Sequence, residues 1–218
     1  MTQVLQTPGV TGDQGTTLPT GVQIGLGTTL SATQSIFTQG AAQATGAPMD
    51  VMISGDGFFK VQLDNGETGY TRDGSLKRDA SGQLVTSDGF IIQPTITVPA
   101  DASQISISKN GTVFAKSQDG TLNELGQLSL AKFANPSGLI NRGDNVYQAT
   151  AGSGDAIEGT AGTGDFLDVT IEQGFLEGSN VSMVTELIKL IDLQRAYEAN
   201  SKVIQTADQV GQITTQLV

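Results

Sequence analysis

The sequence predicts a mainly β protein with one long C-terminal α-helix: an antiparallel β-rich central domain, then a helical segment of coiled-coil type. Two observations carry that reading. Asx–Gly pairs recur through the middle of the chain at intervals of about eight to twelve residues, the spacing of an antiparallel meander. After them, Asn180–Val218 contains no proline and a single glycine, Gly211, with apolar residues at helical spacing.

Residues 1–24 are rich in Thr, Gly, Gln and Pro and nearly uncharged, and Pro8–Gly9, Gly12–Asp13 and Pro19 break regular elements. They read as a flexible tail, or as an extended segment ordered only against neighbours. From about Gly25 short strands begin. Asp50–Ile53 leads through Gly55–Asp56–Gly57 into Phe58–Leu63, and Asn65–Gly66 turns the chain toward Tyr70–Arg72. Asp73–Gly74, Ser81–Gly82 and Asp88–Gly89 punctuate Leu84–Thr86 and Phe90–Ile92; such pairs supply the positive φ that tight turns need.

Lys109–Asn110–Gly111, between Ile105–Ser108 and Thr112–Ala115, is the clearest hairpin signal. Pro94 and Pro99 bracket Thr95–Val98 and predict an edge strand. Leu125–Phe133 reads as one further strand, residues 150–165 as a low-complexity connector, and Phe166–Ile171 as a last strand. The stretch from Gln173–Gly174 to Glu177–Gly178 then turns into the helix.

Asn180 or Ser182 suits the N-cap, and Glu186 complements the positive helix end. Val181, Met183, Val184, Leu187, Ile188, Leu190, Ile191 and Leu193 surround most of the circumference, so this part is expected to be buried on more than one side. The stripe then narrows to Tyr197, Val203, Ile204, Ala207, Val210, Ile213 and Leu217, with Gln194, Asn200, Ser201 and Asp208 interrupting any heptad. Such a helix would span roughly 57 Å, longer than a small domain. No other stretch offers it a partner helix, so it is expected to pack between molecules rather than fold back.

Composition removes whole classes of function. With 11 basic against 22 acidic residues, a net charge of −11 and the basic residues scattered, nucleic acid is excluded as a partner. The absence of Cys and His excludes disulfides, thiolate sites and His-based catalysis. MTQVLQTPGV is not a secretory signal, and no stretch approaches a membrane span. Asp56, Asp73 and Asp88 each precede Gly in a turn signature, Gly152–Asp155 and Gly162–Asp165 are loop glycines, and no nucleotide or nucleophile motif is present. No enzyme, metal or cofactor is expected.

These residues carry a resemblance. GDGFFKV (Gly55–Val61), YTRDGSLKRDASGQLVTSDGF (Tyr70–Phe90), LGQLSLAKFANPSGL (Leu125–Leu139), GDNVY (Gly143–Tyr147) and above all Gln173–Gln209 are similar to the axial rod and hook proteins of the bacterial flagellum. The opening Gln6–Gly25 resembles the extended segment of the distal-rod branch, which proximal rod proteins lack, and there is no room for the hook protein's outer domain. Leu76 stands where the family often has Phe.

The resemblance implies a subunit of a helical homopolymer, a rigid hollow drive shaft in the basal body. It implies as partners sister subunits, proximal rod proteins, the hook protein, the peptidoglycan and outer-membrane ring proteins, and the flagellar type III export apparatus. Residues 1–24 would be the inter-subunit segment, with Pro8, Gly9, Leu18 and Pro19 in contacts; residues 25–166 the β-domain; and residues 167–218 the inner-tube part. Val181, Val184, Leu187, Ile188, Ile191, Tyr197, Val203, Ile204, Ala207 and Val210 would form the helix interface. The family's N-terminal helix, which pairs with the C-terminal one, has no counterpart in this sequence, and an N-terminally shortened form is expected. A secreted β-domain binding glycan or peptide, and a cell-wall hydrolase, are the rival readings; few aromatics and no nucleophile–base pair argue against them.

Overall fold

The computed structural model describes residues 2–6, 23–28 and 34–216, with side chains from residue 34 except 211 and 213–216. It is mainly antiparallel β with one C-terminal helix. The chain forms two compact units, Met1–Ile36 and Phe37–Val218. In the first, β1 (Thr2–Gln6) pairs antiparallel with β2 (Gln23–Thr28), with a register shift between Thr2 and Val4. Thr2–Gln6 is thus a strand, its partner Gln23–Thr28 lying at the end of the Thr/Gly/Pro-rich segment and just beyond it. Pro8, Gly9, Leu18, Pro19 and Leu217 lie outside the described residues.

The second unit begins with β3 (Ala42–Ala44) and β4 (Val51–Ser54). A meander follows: β5 (Phe58–Gln62), β6 (Thr68–Thr71), β7 (Lys77–Arg78), β8 (Leu84–Val85) and β9 (Ile91–Ile92). The expected turns at Asn65–Gly66, Ser81–Gly82, Asp88–Gly89 and Asn110–Gly111 are present, with Gly66 and Gly89 at φ of +80° and +96°. Gly57 and Gly74 do not take a positive φ: at Gly74 the backbone passes so close to the Val51 carbonyl that the segment runs on as extended chain. Of the aspartates in turn signatures, Asp73 braces the backbone, accepting from the Ser75 N–H at 2.9 Å; Asp79, which precedes the turn at Gly82, does the same for the Gln83 N–H at 2.7 Å.

Ile96 and Val98 are buried, but Thr95–Val98 forms only a bridge, Gln83 with Thr97. The prolines bracketing it leave too little chain for a ladder. The hairpin at Lys109–Gly111 is as expected, joining β10 (Ala102–Ile107) to β11 (Thr112–Ser117). β12 (Leu122–Gln127) completes that three-stranded sheet.

Leu125–Phe133 is not one strand. β13 (Leu130–Lys132) leaves the three-stranded sheet for the large one, because Leu128 turns into the core and its N–H bonds the Gly111 carbonyl at 2.9 Å. β14 (Ile140–Gly143) and β15 (Val146–Gln148) form a hairpin whose two turn residues, Asp144 and Asn145, have φ of +50° and +56°. That is the left-handed pair a two-residue hairpin requires.

Residues 150–165 are not a plain connector. They contain β16 (Ile157–Gly159), paired with β13, and buried Ser153 and Ala161. Phe166 ends a 3-10 turn, Gly164–Phe166, instead of opening a strand. The strand proper is β17 (Thr170–Gln173), paired with β4. β18 (Phe175–Glu177) pairs with β3 where a simple turn was expected. The helix α1 runs Met183–Gln216.

The large sheet has the order β14-β15-β6-β5-β9-β8-β7, with β13 alongside the start of β5. β5 buries both faces. Phe59 and Val61 enter the main core with Val51, Ile53, Leu84, Ile92, Leu130, Phe166 and Ile171, while Phe58 enters a second cluster with Tyr70, Ala131, Phe133 and Leu139. The two-residue period of a strand makes adjacent phenylalanines serve opposite faces.

Candidate subunit interface

Every described side chain from Ser179 to Gln212 is exposed, apart from half-buried Ser201. The helix therefore does not fold back on the β-domain. The residues read as its interface are bare: Val181 60%, Val184 67%, Leu187 52%, Ile188 54%, Ile191 48%, Tyr197 78%, Val203 65%, Ile204 63% and Val210 63% exposed, and Ala207 likewise open. Burial from more than one side, expected of Val181–Leu193, is not supplied by the chain itself. Dispersed apolar exposure is ordinary on a surface, but a continuous apolar helix marks an interaction site. A lone helix of 34 residues has little to hold it in water beyond its own marginal propensity.

The base of this helix is held by a joint. β3 and β18 pair Ala44 with Phe175, Gln43 with Leu176 and Ala42 with Glu177. Glu177 uses both carboxylate oxygens: Oε1 accepts from the Gly40 N–H at 2.9 Å and Oε2 from Arg72 Nε at 2.8 Å. Arg72 also donates Nη1 to the Gly57 carbonyl at 3.0 Å and Nη2 to the Gly55 carbonyl at 3.2 Å, and it lies 5.9 Å from the Phe58 ring centre. A guanidinium is suited to this task, since its planar fork satisfies three acceptors at fixed angles.

The Asn180 amide donates to the carbonyl and hydroxyl oxygens of Thr38 at 3.0 and 3.1 Å, so it ties the helix base down instead of acting as a simple N-cap. The first helical bond runs from the Glu186 N–H to the Ser182 carbonyl, which puts Ser182 at the cap. Phe37 completes the anchorage, edge-on to Phe58 at 5.6 Å and to Tyr147 at 5.1 Å. Such pairs contribute about 0.5–1.5 kcal/mol each beyond area burial.

Nothing in the sequence reading pointed to Arg72, Glu177, Gly40, Thr38 or Phe37. The one available signal was Gly40, followed by Gly178, where two backbones cross: a Cβ on Gly40 would stand 1.8 Å from the Gly178 oxygen.

Beside the joint lies a hollow of about 260 Å³ lined by Phe37, Asp56, Phe58, Arg72, Lys132 and Phe133. It is smaller than typical ligand sites, and each Arg72 nitrogen already donates to a protein acceptor. A wider concavity lined by Lys60, Gln93, Pro94 and Glu158 is bridged by the Lys60–Glu158 ion pair at 2.7 Å. Among the described residues, no group of His, Cys, Asp or Glu is arranged to hold a metal, and no helix is long and apolar enough to cross a membrane.

A braced β-body bearing an apolar helix it does not cover defines a structural subunit. Residues 52–115 match the family described as the flagellar hook protein FlgE/F/G D1 domain, and residues 172–217 the flagellar basal body rod FlgEFG protein C-terminal family. The chain is 45% identical to the flagellar basal-body rod protein FlgG of Buchnera aphidicola from Acyrthosiphon pisum over 218 residues, 100% of this chain and 83% of that protein. With FlgG of Caulobacter vibrioides it shares 44% identity over 93% of this chain and 77% of the relative. With FlgF of the same bacterium it shares 34% over 80% and 67%. The chain belongs to the FlgG family of flagellar basal-body rod proteins. It is a structural component of the bacterial flagellum, situated in the basal body, and not an enzyme.

Proposed function

We propose that this chain is the distal rod subunit, polymerising helically into a rigid hollow shaft that carries motor torque to the hook. The observation that carries this reading is the bare apolar helix α1 on a fixed base. Burying it between copies supplies the favourable apolar contact that the isolated chain lacks. The higher identity to FlgG than to FlgF of one bacterium supports the distal assignment.

In this reading residues 167–218 line the inner tube, residues 25–166 form the outer tube, and residues 1–24 lie between neighbours. Val181, Val184, Leu187, Ile188, Ile191, Tyr197, Val203, Ile204, Ala207 and Val210 make helix contacts, and Pro8, Gly9, Leu18 and Pro19 make contacts of the extended segment. The shaft joins proximal rod proteins below and the hook protein above, and turns inside the peptidoglycan and outer-membrane ring proteins. Its subunits are exported through the flagellar type III export apparatus. The joint of Arg72 and Glu177 then passes load from outer body to inner helix, through charge-assisted bonds and a ladder rather than a flexible linker.

The test is the double substitution Leu187→Asp with Ile191→Asp. It should abolish rod assembly and motility while leaving the thermal transition of the β-domain unchanged. Normal assembly by that variant would overturn the reading.

A further inference from the structure

The charges of α1 follow an order that apolar packing alone leaves unexplained. Glu186, Lys189, Asp192, Arg195 and Glu198 succeed one another every three residues with the sign alternating, and Lys202 continues the alternation. The helix as a whole holds three basic and four acidic residues, whereas the rest of the chain holds eight basic and eighteen acidic. A nearly neutral helix on a strongly acidic protein can lie beside its own copies without accumulating like charge.

Spacing then selects a geometry. Residues nine apart stand two and a half turns apart, on opposite sides of a helix and about 13.5 Å along it. Glu186 and Arg195 are such a pair, opposite in sign and both exposed. Within one helix they cannot touch. Among the described residues, Arg195 joins no ion pair, while Glu186 bonds its own neighbour Lys189 at 2.7 Å, leaving its second oxygen for another partner.

Resting on the assembly reading above, we propose that α1 helices of neighbouring copies pack side by side and parallel, staggered by nine residues, with Glu186 of one copy paired to Arg195 of the next. The contact is head-to-tail: each copy presents Glu186 on one side and Arg195 on the other, at different heights. Repetition of such a contact generates an open helical array rather than a closed dimer. Lys189 and Glu198 repeat the relation one step up, again opposite in sign and nine residues apart. Apolar residues supply the adhesion and the charges set the register, as flanking ion pairs do in coiled coils.

The experiment is a double-reversal cycle on the full chain: Glu186→Arg, Arg195→Glu and the two together, with association followed by sedimentation at low ionic strength. Circular dichroism of each variant checks that helix and β-domain persist. Each single reversal should weaken association on the order of tenfold, and the double reversal should restore most of it, because a pair unable to meet within one helix can couple only between copies. A double variant as weak as the two losses combined would overturn the register while leaving the assembly reading intact. A wild-type chain that stays monomeric at every concentration would overturn both.

Discussion

Arg72 and Glu177 stand 105 positions apart in sequence, yet their side chains meet at 2.8 Å with only 16% and 12% of their surfaces exposed. This contact closes the β-domain onto the strand that leads into the helix. Arg72→Leu should cost about 2–4 kcal/mol, because it leaves Glu177 half-buried and short of a partner and frees two carbonyls. Chemical denaturation measures the loss. In the Arg72→Leu background, a further Glu177→Leu should cost less than it does alone; full additivity of the two changes would show that they act independently.

Gly40 is a second control point. Its substitution by Ala places a Cβ 1.8 Å from the Gly178 oxygen, which no rotamer can relieve. The β3–β18 ladder must open, and the amides of residues 42–44 and 175–177 should exchange much faster with solvent. The hairpin of β10 and β11, far from the crossing in sequence, should keep its protection. Uniform loss across the molecule would mean that the joint does not unfold on its own.

Burial, and after it the nearby Glu158 charge, pushes the Tyr70 phenol above its ordinary value. The unfolded chain then ionises first as pH rises. The stability contribution is fully present below about pH 10 and is lost above it. Tyr70→Phe should therefore flatten the alkaline limb of the stability–pH curve. An unchanged slope between the variant and the parent would contradict this.

Phe166 is 1% exposed in the main core, with the Gly159 backbone so close that a Cβ there would stand 2.6 Å from its ring. Phe166→Ala should lower stability by about 3–5 kcal/mol, the usual range for a deleted core aromatic. Thermal melting gives the comparison. A loss under about 1 kcal/mol would mean that residues 150–166 pack loosely, as a connector would.

Residues 1–24 carry their own prediction. Removing residues 3–20 should leave polymers that bend more easily, seen as a shorter persistence length by electron microscopy. Unchanged stiffness would remove the extended segment from the account.

The fold was legible where local chemistry decides it. Asn110–Gly111 and Asn65–Gly66 demand turns whatever surrounds them, and the apolar pattern of Val181–Leu193 demands a helix. It was illegible where distant chain decides. Ala42–Ala44 is a strand because Phe175–Glu177 lies beside it, and Ile157–Gly159 because Lys132 and its neighbours do; neither has the alternation of an amphipathic strand. Leu125–Phe133 alternates well, yet burial of Leu128 bends it between two sheets. Of the candidate interface, the apolar residues of the helix could be read directly. The joint could not, since Arg72 and Glu177 each look like a solvated surface charge until the fold brings them together.

Hydrogen exchange over Met183–Gln216, compared between dilute protein and assembled rods, tests most directly whether sister molecules cover this helix. The account predicts rapid exchange in the dilute chain and strong protection after assembly, centred on Leu187–Ile191. Equal protection in both states, or an unprotected helix in the finished rod, would contradict it.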